Sequence, residues 1–234
     1  MKSSKFTFNP ILKKGDSSVR IIHIVFDVSP STAHVHKESV MAIIKTLEEI
    51  KAIANKEGFA VYVAITEYST GVYPVMDFTL LNTLDTRKIP FSVDVKREAT
   101  NTGEALLQAK KRTMEFYNDM RETDSRMIRT PMIFLSSDGS IYPYSECLPK
   151  YKQAAREIKS LEHPENHLDD LVFVCGAMVD GDLSEFYELT HYKGRVIKLT
   201  EDLSPFLQLL KVCTCTKTNL PSCMYSLDNI SENI

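Results

Sequence analysis

Long apolar runs are missing from the sequence, and their absence excludes two classes of protein. The N-terminal segment, residues 1–18, is too polar for the continuous apolar stretch of a secretory signal. No later run approaches the roughly 20 apolar residues that a membrane helix needs. The sequence therefore predicts a soluble protein.

The cysteines also lack the pattern of a disulfide framework. Five cysteines, an odd number, are spread over 234 residues, which does not fit a small secreted domain stabilised by disulfides. Asn229, Ile230 and Ser231 match a glycosylation acceptor of secreted proteins, but three-residue matches arise often by chance. We therefore expect a reducing, cytoplasmic location.

Blocks of like charge are absent as well. The 28 lysines and arginines are interspersed with 31 acidic residues, so no basic surface for nucleic acid is expected. The apolar share of 43% is enough to fill a sizeable core. Because we find no repeat, low-complexity stretch or linker, we expect one domain over residues 20–212, with tails at 1–19 and 213–234.

What the sequence does contain is an alternation of strand and helix patterns. Short apolar runs rich in β-branched residues indicate buried strands, and apolar residues at spacings of three and four indicate helices. The predicted strands cover residues 20–26, 59–68, 73–78, 130–136, 171–177 and 195–199. The predicted helices cover residues 36–56, 103–120, about 150–161, about 183–190 and 203–212. This order predicts a doubly wound α/β sheet, mostly parallel, with helices on both faces and right-handed crossovers.

The second and third predicted strands are the exception to this order. Only two to four residues separate them, which is too short for a crossover helix. Pro74, at the start of the third strand, is expected only at an edge or a strand start. We therefore predict an antiparallel edge strand. In the first strand, His23 interrupts the apolar run, and we expect a hydrogen-bonded core imidazole rather than a ligand.

Ligands of open α/β sheets bind outside the carboxyl ends of the strands, so the residues at those ends are candidates for a site. Residues with an oxygen atom available as a ligand occur there: Asp27, Ser29, Ser31, Thr100 and Asp138. The first three follow the first strand, the fourth precedes the helix at 103–120, and the last follows the strand at 130–136. We expect these two carboxylates and three hydroxyls to converge on one edge of the sheet.

Such a set of oxygens suits a hard divalent cation. Mg²⁺ takes oxygen ligands at about 2.0–2.1 Å in a near-octahedral shell and usually keeps several waters. Ser29 and Ser31, two residues apart on a turn, can both face one ion. Two carboxylates roughly balance its charge and the hydroxyls add none, so the ion remains electrophilic. The pattern predicts Mg²⁺, or Mn²⁺ or Ca²⁺, with an open position for an Asp or Glu of a protein partner.

These residues also carry a family resemblance. Asp27-x-Ser29-x-Ser31, Thr100 within TNTGEAL and Asp138 within SSDG resemble the metal-ion-dependent adhesion site of von Willebrand factor A domains, over about residues 20–212. The resemblance implies that both serines ligate the metal directly, that Thr100 does so directly or through water, and that the aspartates act mainly through water. It also implies a protein-binding adaptor or scaffold rather than an enzyme.

Within that family, the stretches CGAMVDGDLSEFYELT and RVIKLTEDLSPFLQLL resemble the compact bacterial branch associated with tellurium resistance. The resemblance implies a bacterial stress or phosphorylation-linked system. Two positions depart from the family pattern: Pro30 stands where glycine is common, and Ser137 where threonine is common. Proline fixes φ near -65° and removes an N–H, so it would stiffen the turn and would impair a metal-free turn that needed that donor.

Other functions remain open. A metal-dependent phosphohydrolase would use Asp27 as nucleophile, but the acid that such enzymes need two residues later is replaced by Ser29. The sequence also lacks a G-x-S-x-G elbow, a phosphate loop and a glycine-rich dinucleotide fingerprint. A self-assembling subunit could instead supply the sixth ligand from its own acidic loop, through Glu165, Asp169 or Asp170.

Cysteines and histidines offer weaker alternatives. Cys213, Cys215 and Cys223 suggest a structural zinc, but zinc usually takes four ligands and their spacing is not a knuckle pair. The fourth ligand would have to come from a distant residue: Cys147, Cys175 or His191. His34 and His36 flank the turn after the first strand, and we expect them to be polar residues of a helix start.

Overall fold

The computed structural model describes residues 17–92, 99–138, 141, 143–166, 168–177, 183–198 and 204–215. The strands are β1 (Val19–Asp27), β2 (Ala60–Tyr68), β3 (Val72–Leu80), β4 (Met132–Ser137), β5 (Val172–Ala177) and β6 (Val196–Lys198). The α-helices are α1 (His36–Glu57), α2 (Thr102–Thr123), α3 (Tyr144–Lys159), α4 (Leu183–Tyr187) and α5 (Ser204–Cys215). In this part of the chain, every helix is too short or too polar to cross a membrane.

Within the described residues, six strands form one sheet in the order β3-β2-β1-β4-β5-β6. All neighbours are parallel except β3, which runs antiparallel to β2 at the edge. Residues 69–71 make the connection, and Pro74 lies on the edge strand, where its missing N–H costs least. The predicted mostly parallel sheet with one antiparallel edge strand is confirmed.

Helices cover both faces of the sheet and bury a separate apolar core on each. On one face α1 and α5 pack against the strands, with Leu47 and Phe206 in the core. On the other face α2, α3 and α4 pack, with Leu106 and Tyr151 among the buried residues. Because both faces are covered, β1 and β4 are buried along their whole length, which explains their nearly continuous apolar sequence.

The helix boundaries follow local sequence signals except at the start of α3. Helix α1 ends at Gly58, whose φ of 84° is left-handed and whose N–H donates to the Ala54 carbonyl at 2.8 Å. The prediction that α3 begins near residue 150 is wrong, because the helix begins at Tyr144 and contains Pro149. Proline removes one backbone donor in the second turn, and Ser145 and Pro149 are both exposed there, so water can solvate the carbonyl left without a partner.

His23 is a core residue, as expected. Its Nδ1 lies 3.0 Å from the Thr113 hydroxyl and its Nε2 lies 2.8 Å from the Thr66 hydroxyl. Burial, helped by the nearby positive charge of Arg112, lowers the pKa of His23 to about 3. The imidazole is therefore neutral at physiological pH and links β1 to α2 and β2.

Candidate metal centre

The carboxyl end of β1 lies where the chain connections diverge to the two sides of the sheet. Asp27 is paired with Tyr68 of β2 on one side, and Phe26 is paired with Ser136 of β4 on the other. Strand β1 is followed through α1 by β2, whereas β4 is reached later through α2. This edge is a topological switch point, the place where open α/β sheets bind ligands.

Asp27 is completely buried at this edge, with both carboxylate oxygens engaged. Its Oδ1 accepts the Ser29 N–H at 2.8 Å, and its Oδ2 accepts the Ser137 hydroxyl at 2.7 Å. Burial is the largest cause that raises the pKa of Asp27 to about 6, and the charge of Asp138 raises it further. The bonds from Ser137 and Ser29 act in the opposite direction without cancelling these effects. A bound dication would stabilise both ionised carboxylates.

The turn after β1 holds two serine hydroxyls side by side. The Thr32 hydroxyl donates to the Ser29 carbonyl at 2.8 Å and closes a 3-10 turn over Pro30–Val35. The hydroxyls of Ser29 and Ser31 are hydrogen-bonded to each other, with 3.0 Å between the two Oγ atoms. Two adjacent ligands of an octahedral Mg²⁺ are separated by about 2.9 Å when each bond is about 2.0–2.1 Å. The hydroxyl pair therefore has the spacing of two ligands of one ion, and Ser31 is exposed while Ser29 is buried.

Pro30 is compatible with this turn. It occupies the first position of the 3-10 turn, where a fixed φ is favourable and the missing N–H would have no partner within the turn. The backbone donor that the turn does use towards Asp27 is the N–H of Ser29. The departure from glycine at this position leaves the serine pair in place.

The contacts of the next residue, Asn101, place Thr100 at the same edge of the sheet. The Asn101 N–H donates to the Ser69 carbonyl at 2.9 Å, just after the end of β2, and the Asn101 side chain caps α2 by accepting the Glu104 N–H. Thr100 itself is buried. Asp138 follows β4 directly, is half-buried, and is close enough for its charge to act on Asp27. All five predicted site residues therefore lie at the carboxyl edge of β1, β2 and β4.

Gly103 brings α2 and α3 close together beside this edge. A Cβ atom on Gly103 would lie 2.3 Å from the backbone nitrogen of Tyr151 and 2.7 Å from its Cα, distances that real Cβ atoms do not show. The two helices that follow the Thr100 and Asp138 segments are thus packed backbone to backbone. The glycine sets the spacing between these two parts of the site.

Tyr68 is a buried hydroxyl residue at the site that was not among the residues predicted from sequence. Tyr68 is completely buried, its hydroxyl is hydrogen-bonded to Ser137, and the Thr102 hydroxyl lies 3.4 Å from it. Burial raises the pKa of Tyr68 well above its ordinary value, and the negative charge of Asp27 adds to this effect. Tyr68 is the last residue inside the predicted strand at 59–68, whereas Asp27 follows the predicted strand at 20–26, so the strand-end rule does not select Tyr68.

The other candidates from sequence have structural roles. The Nε2 of His36 donates to the Ser92 carbonyl at 2.9 Å and its ring stacks on Phe26, so His36 is a packed helix-start residue. Among the described residues, no three His, Cys, Asp or Glu side chains are grouped as a metal site, and Cys223 lies outside the described residues. Asp169 forms a buried ion pair with Arg195, which makes it a poor source of a ligand for a second copy.

We compared the chain with known families, with curated proteins and with solved structures. No family model matches it, and no curated protein matches it by sequence. Proximal thread matrix protein 1 from the mussel byssus superposes with a TM-score of 0.59 at 15% identity, over 86% of this chain and 48% of that one. The von Willebrand factor domain of the pili tip protein Mfa5 from Porphyromonas gingivalis superposes with a TM-score of 0.50 at 12% identity, over 88% and 98%. The fold is of the von Willebrand factor A type.

The pilus adhesin SpaC from Lactobacillus rhamnosus GG, solved in an open conformation, gives a TM-score of 0.59 at 11% identity, over 87% of this chain and 30% of that one. The chain thus spans about half of the mussel protein and less than a third of the adhesin. The mussel protein has also been solved with a zinc-occupied MIDAS motif, with a TM-score of 0.57. At these identities the likeness establishes the A-type fold and nothing more.

Proposed function

We propose that the chain is a divalent-cation-dependent protein-binding module. Asp27, Ser29, Ser31, Thr100 and Asp138 hold the ion, and an acidic side chain of a partner protein completes its shell. The observation that carries this proposal is the pair of hydroxyls 3.0 Å apart on the turn that follows the buried Asp27 carboxylate. That arrangement places hydroxyl and carboxylate oxygens, the ligands of hard cations, at one edge of the sheet.

The metal is proposed to be Mg²⁺ or Mn²⁺, with Ca²⁺ as a further possibility. Oxygen ligands favour hard cations of this kind, and the described contacts place no thiolate or imidazole among the site residues. The zinc-occupied motif of the mussel protein supports a divalent ion at this place in the fold. When bound, the ion would supply an electrophilic position for a carboxylate, while the chain fixes the oxygens around it.

A binding role is favoured over hydrolysis by the state of Asp27. A nucleophilic carboxylate must reach its substrate, whereas Asp27 is buried and both of its oxygens accept hydrogen bonds. The residue two positions later is Ser29, which cannot act as a general acid. We therefore propose that the purified protein turns over neither phosphomonoesters nor nucleotides nor peptides.

The cellular context is proposed on sequence alone. The resemblance to the tellurium-resistance-associated branch favours a bacterial stress or phosphorylation-linked system, and the cysteine pattern favours the cytoplasm. A self-associating subunit would use Glu165 or Asp170, both largely exposed and with carboxylate oxygens 3.4 Å and 3.3 Å from the His163 ring nitrogens.

Calorimetric titration with Mn²⁺ and with Mg²⁺ tests the site. Wild type should bind one ion per chain, and Asp27→Ala combined with Asp138→Ala should abolish binding, because neutral hydroxyls cannot offset the dehydration of a hard dication. Asp119→Ala combined with Glu122→Ala, exposed on the far end of α2, removes the same charge and should bind like wild type. Equal affinity in wild type and the Asp27/Asp138 variant would place the ion elsewhere.

A further inference from the structure

A chain of buried hydroxyl groups runs from the first residue of α2 to Asp27. Thr102 Oγ1 lies 3.4 Å from the Tyr68 hydroxyl, Tyr68 is hydrogen-bonded to Ser137, and Ser137 donates to Asp27 Oδ2 at 2.7 Å. Thr102, Tyr68 and Ser137 are at most 1% exposed, so these groups satisfy one another rather than water.

The hydrogen bonds between these hydroxyl groups all run in one direction. A hydroxyl carries a single proton, and Ser137 uses its proton on the Asp27 carboxylate. The Tyr68 hydroxyl must therefore donate to Ser137, and its oxygen then accepts from Thr102. Every donor in the chain points towards Asp27.

The two ends of the chain belong to different segments of the candidate metal centre. Asp27 follows β1, whereas Thr102 begins α2 and lies two residues after Thr100. Hydrogen bonds in series strengthen one another in a low-dielectric interior. A change in the orientation or charge of the Asp27 carboxylate therefore reaches the start of α2 through groups that are not themselves ligands.

We propose that Tyr68 is a positioning residue that, through Ser137, orients the Asp27 carboxylate and links it to Thr102 at the start of α2. This inference rests on the proposed function and extends it to a residue outside the five-residue pattern. Cation binding and the position of α2, with the Thr100 segment in front of it, then depend on each other.

Tyr68→Phe tests this role because it keeps the ring and removes only the hydroxyl. Its affinity for Mn²⁺, measured by calorimetry, should fall at least about 10-fold, the lower end of the range for loss of an outer-shell partner. The electron paramagnetic resonance spectrum of bound Mn²⁺ should also change, which loss of stability alone would not cause. Tyr62→Phe is the matched control: it lies in the same strand, its hydroxyl is bonded to Arg126, and it should bind Mn²⁺ like wild type.

A double-mutant cycle tests whether Thr102 acts on the cation site through Tyr68. Thr102→Val removes the hydroxyl at the far end and should weaken Mn²⁺ binding although it does not touch Asp27. The double variant should bind no more weakly than Tyr68→Phe alone, because Thr102 acts only through the Tyr68 hydroxyl. If the losses of Mn²⁺ affinity in the two single variants add fully in the double variant, the proposed series of hydrogen bonds is wrong.

The outcomes separate this inference from the proposed function. Unchanged Mn²⁺ affinity and spectrum in Tyr68→Phe, while Asp27→Ala loses the ion, overturn the role of Tyr68 and leave the metal site standing. A wild-type protein that binds no Mn²⁺ overturns both. If Tyr68→Phe does not fold, Ser137→Ala and Thr102→Val carry the test, and wild-type affinity in both overturns the inference.

Discussion

At the scale of single residues, the candidate site is held in place by its neighbours. Backbone and hydroxyl donors occupy both oxygens of Asp27, and the Thr32 hydroxyl fixes the turn that carries Ser29. Side chains that are already ordered lose little rotamer freedom on binding, so more of the interaction energy appears as affinity. Substitutions that release these neighbours should therefore weaken the site as substitutions of the ligands do.

Because His23 is neutral in the folded core, it should change how the free energy of unfolding depends on pH. Unfolded His23 takes up a proton below its ordinary pKa of 6.5, but folded His23 does so only near pH 3. Between these values the unfolded state binds more protons, so His23 lowers the free energy of unfolding as pH falls, by up to about 1.4 kcal/mol per pH unit. His23→Gln should reduce the slope of stability between pH 7 and pH 5 by up to that amount.

Urea unfolding of wild type and variant at several pH values, in chelator, measures this slope. Exposed Asn118→Ala, which removes no titratable group, is the control and should leave the slope as it is in wild type. An unchanged slope in His23→Gln would mean that the imidazole is protonated in the folded protein.

Thr100 should matter more for the partner than for the ion. Thr100→Ala leaves Ser29, Ser31 and both aspartates for the cation, but it removes a ligand from the shell that accepts the partner's carboxylate. Affinity for the partner should fall by about 5- to 150-fold, the usual scale of such coupling, with a smaller change for Mn²⁺. Surface plasmon resonance measures the affinity for the partner, using the protein that co-purifies with the chain and is released by chelator. Calorimetry measures the affinity for Mn²⁺. Thr123→Ala, at the other end of α2, should change neither, and wild-type behaviour of Thr100→Ala would exclude a direct bridge.

The site residues differ in how visible they are in the sequence. Asp27, Ser29 and Asp138 are visible because charged or hydroxyl residues directly after buried strands have few structural reasons to be there. Tyr68 is not visible in this way, because an aromatic residue at the end of a buried strand has the composition of ordinary core. Only the three-dimensional structure shows that the Tyr68 hydroxyl is bonded to Ser137, whose hydroxyl donates to the Asp27 carboxylate.

At the scale of elements, the sequence predicts strand and helix types well and some boundaries poorly. Helix α3 begins earlier than the sequence predicts and accommodates Pro149 in its second turn. The segment after β3, for which no strand or helix is predicted, folds as short 3-10 turns held by α1 through contacts such as Lys51 Nζ to the Leu84 carbonyl at 2.6 Å. Contacts between residues distant in sequence leave no local periodicity.

The contact between α2 and α3 at Gly103 leads to a prediction about stability. Glycine to alanine inside a helix normally stabilises a protein by up to about 1 kcal/mol. Here the added methyl group would collide with the backbone of α3, so Gly103→Ala should instead destabilise it by about 1–3 kcal/mol, the usual cost of overpacking.

Chemical denaturation measures this effect, with exposed Asn118→Ala on the same helix as the control expected to be neutral or mildly stabilising. The same Gly103→Ala variant should bind Mn²⁺ more weakly, since α2 and α3 carry the Thr100 and Asp138 segments. Normal stability in Gly103→Ala would mean that the two helices separate freely.

At the scale of the whole molecule, the fold follows from alternation and connection length. The doubly wound sheet, its antiparallel edge and the helices on both faces all agree with the sequence prediction. The same fold serves many purposes, so the A-type architecture alone does not identify a partner. The function therefore depends on whether the oxygens at the carboxyl edge bind a cation and whether that cation binds protein.

Co-purification of the tagged protein from its host cells, with Mg²⁺ or with chelator, tests this claim most directly. We expect an acidic partner that co-elutes in Mg²⁺, is released by chelator, and is absent when Asp27→Ala is combined with Asp138→Ala. The Asp119→Ala and Glu122→Ala control should retain the partner. Cation-dependent binding would be contradicted if all three samples recover the same proteins. The samples are wild type in Mg²⁺, wild type in chelator, and the Asp27/Asp138 variant.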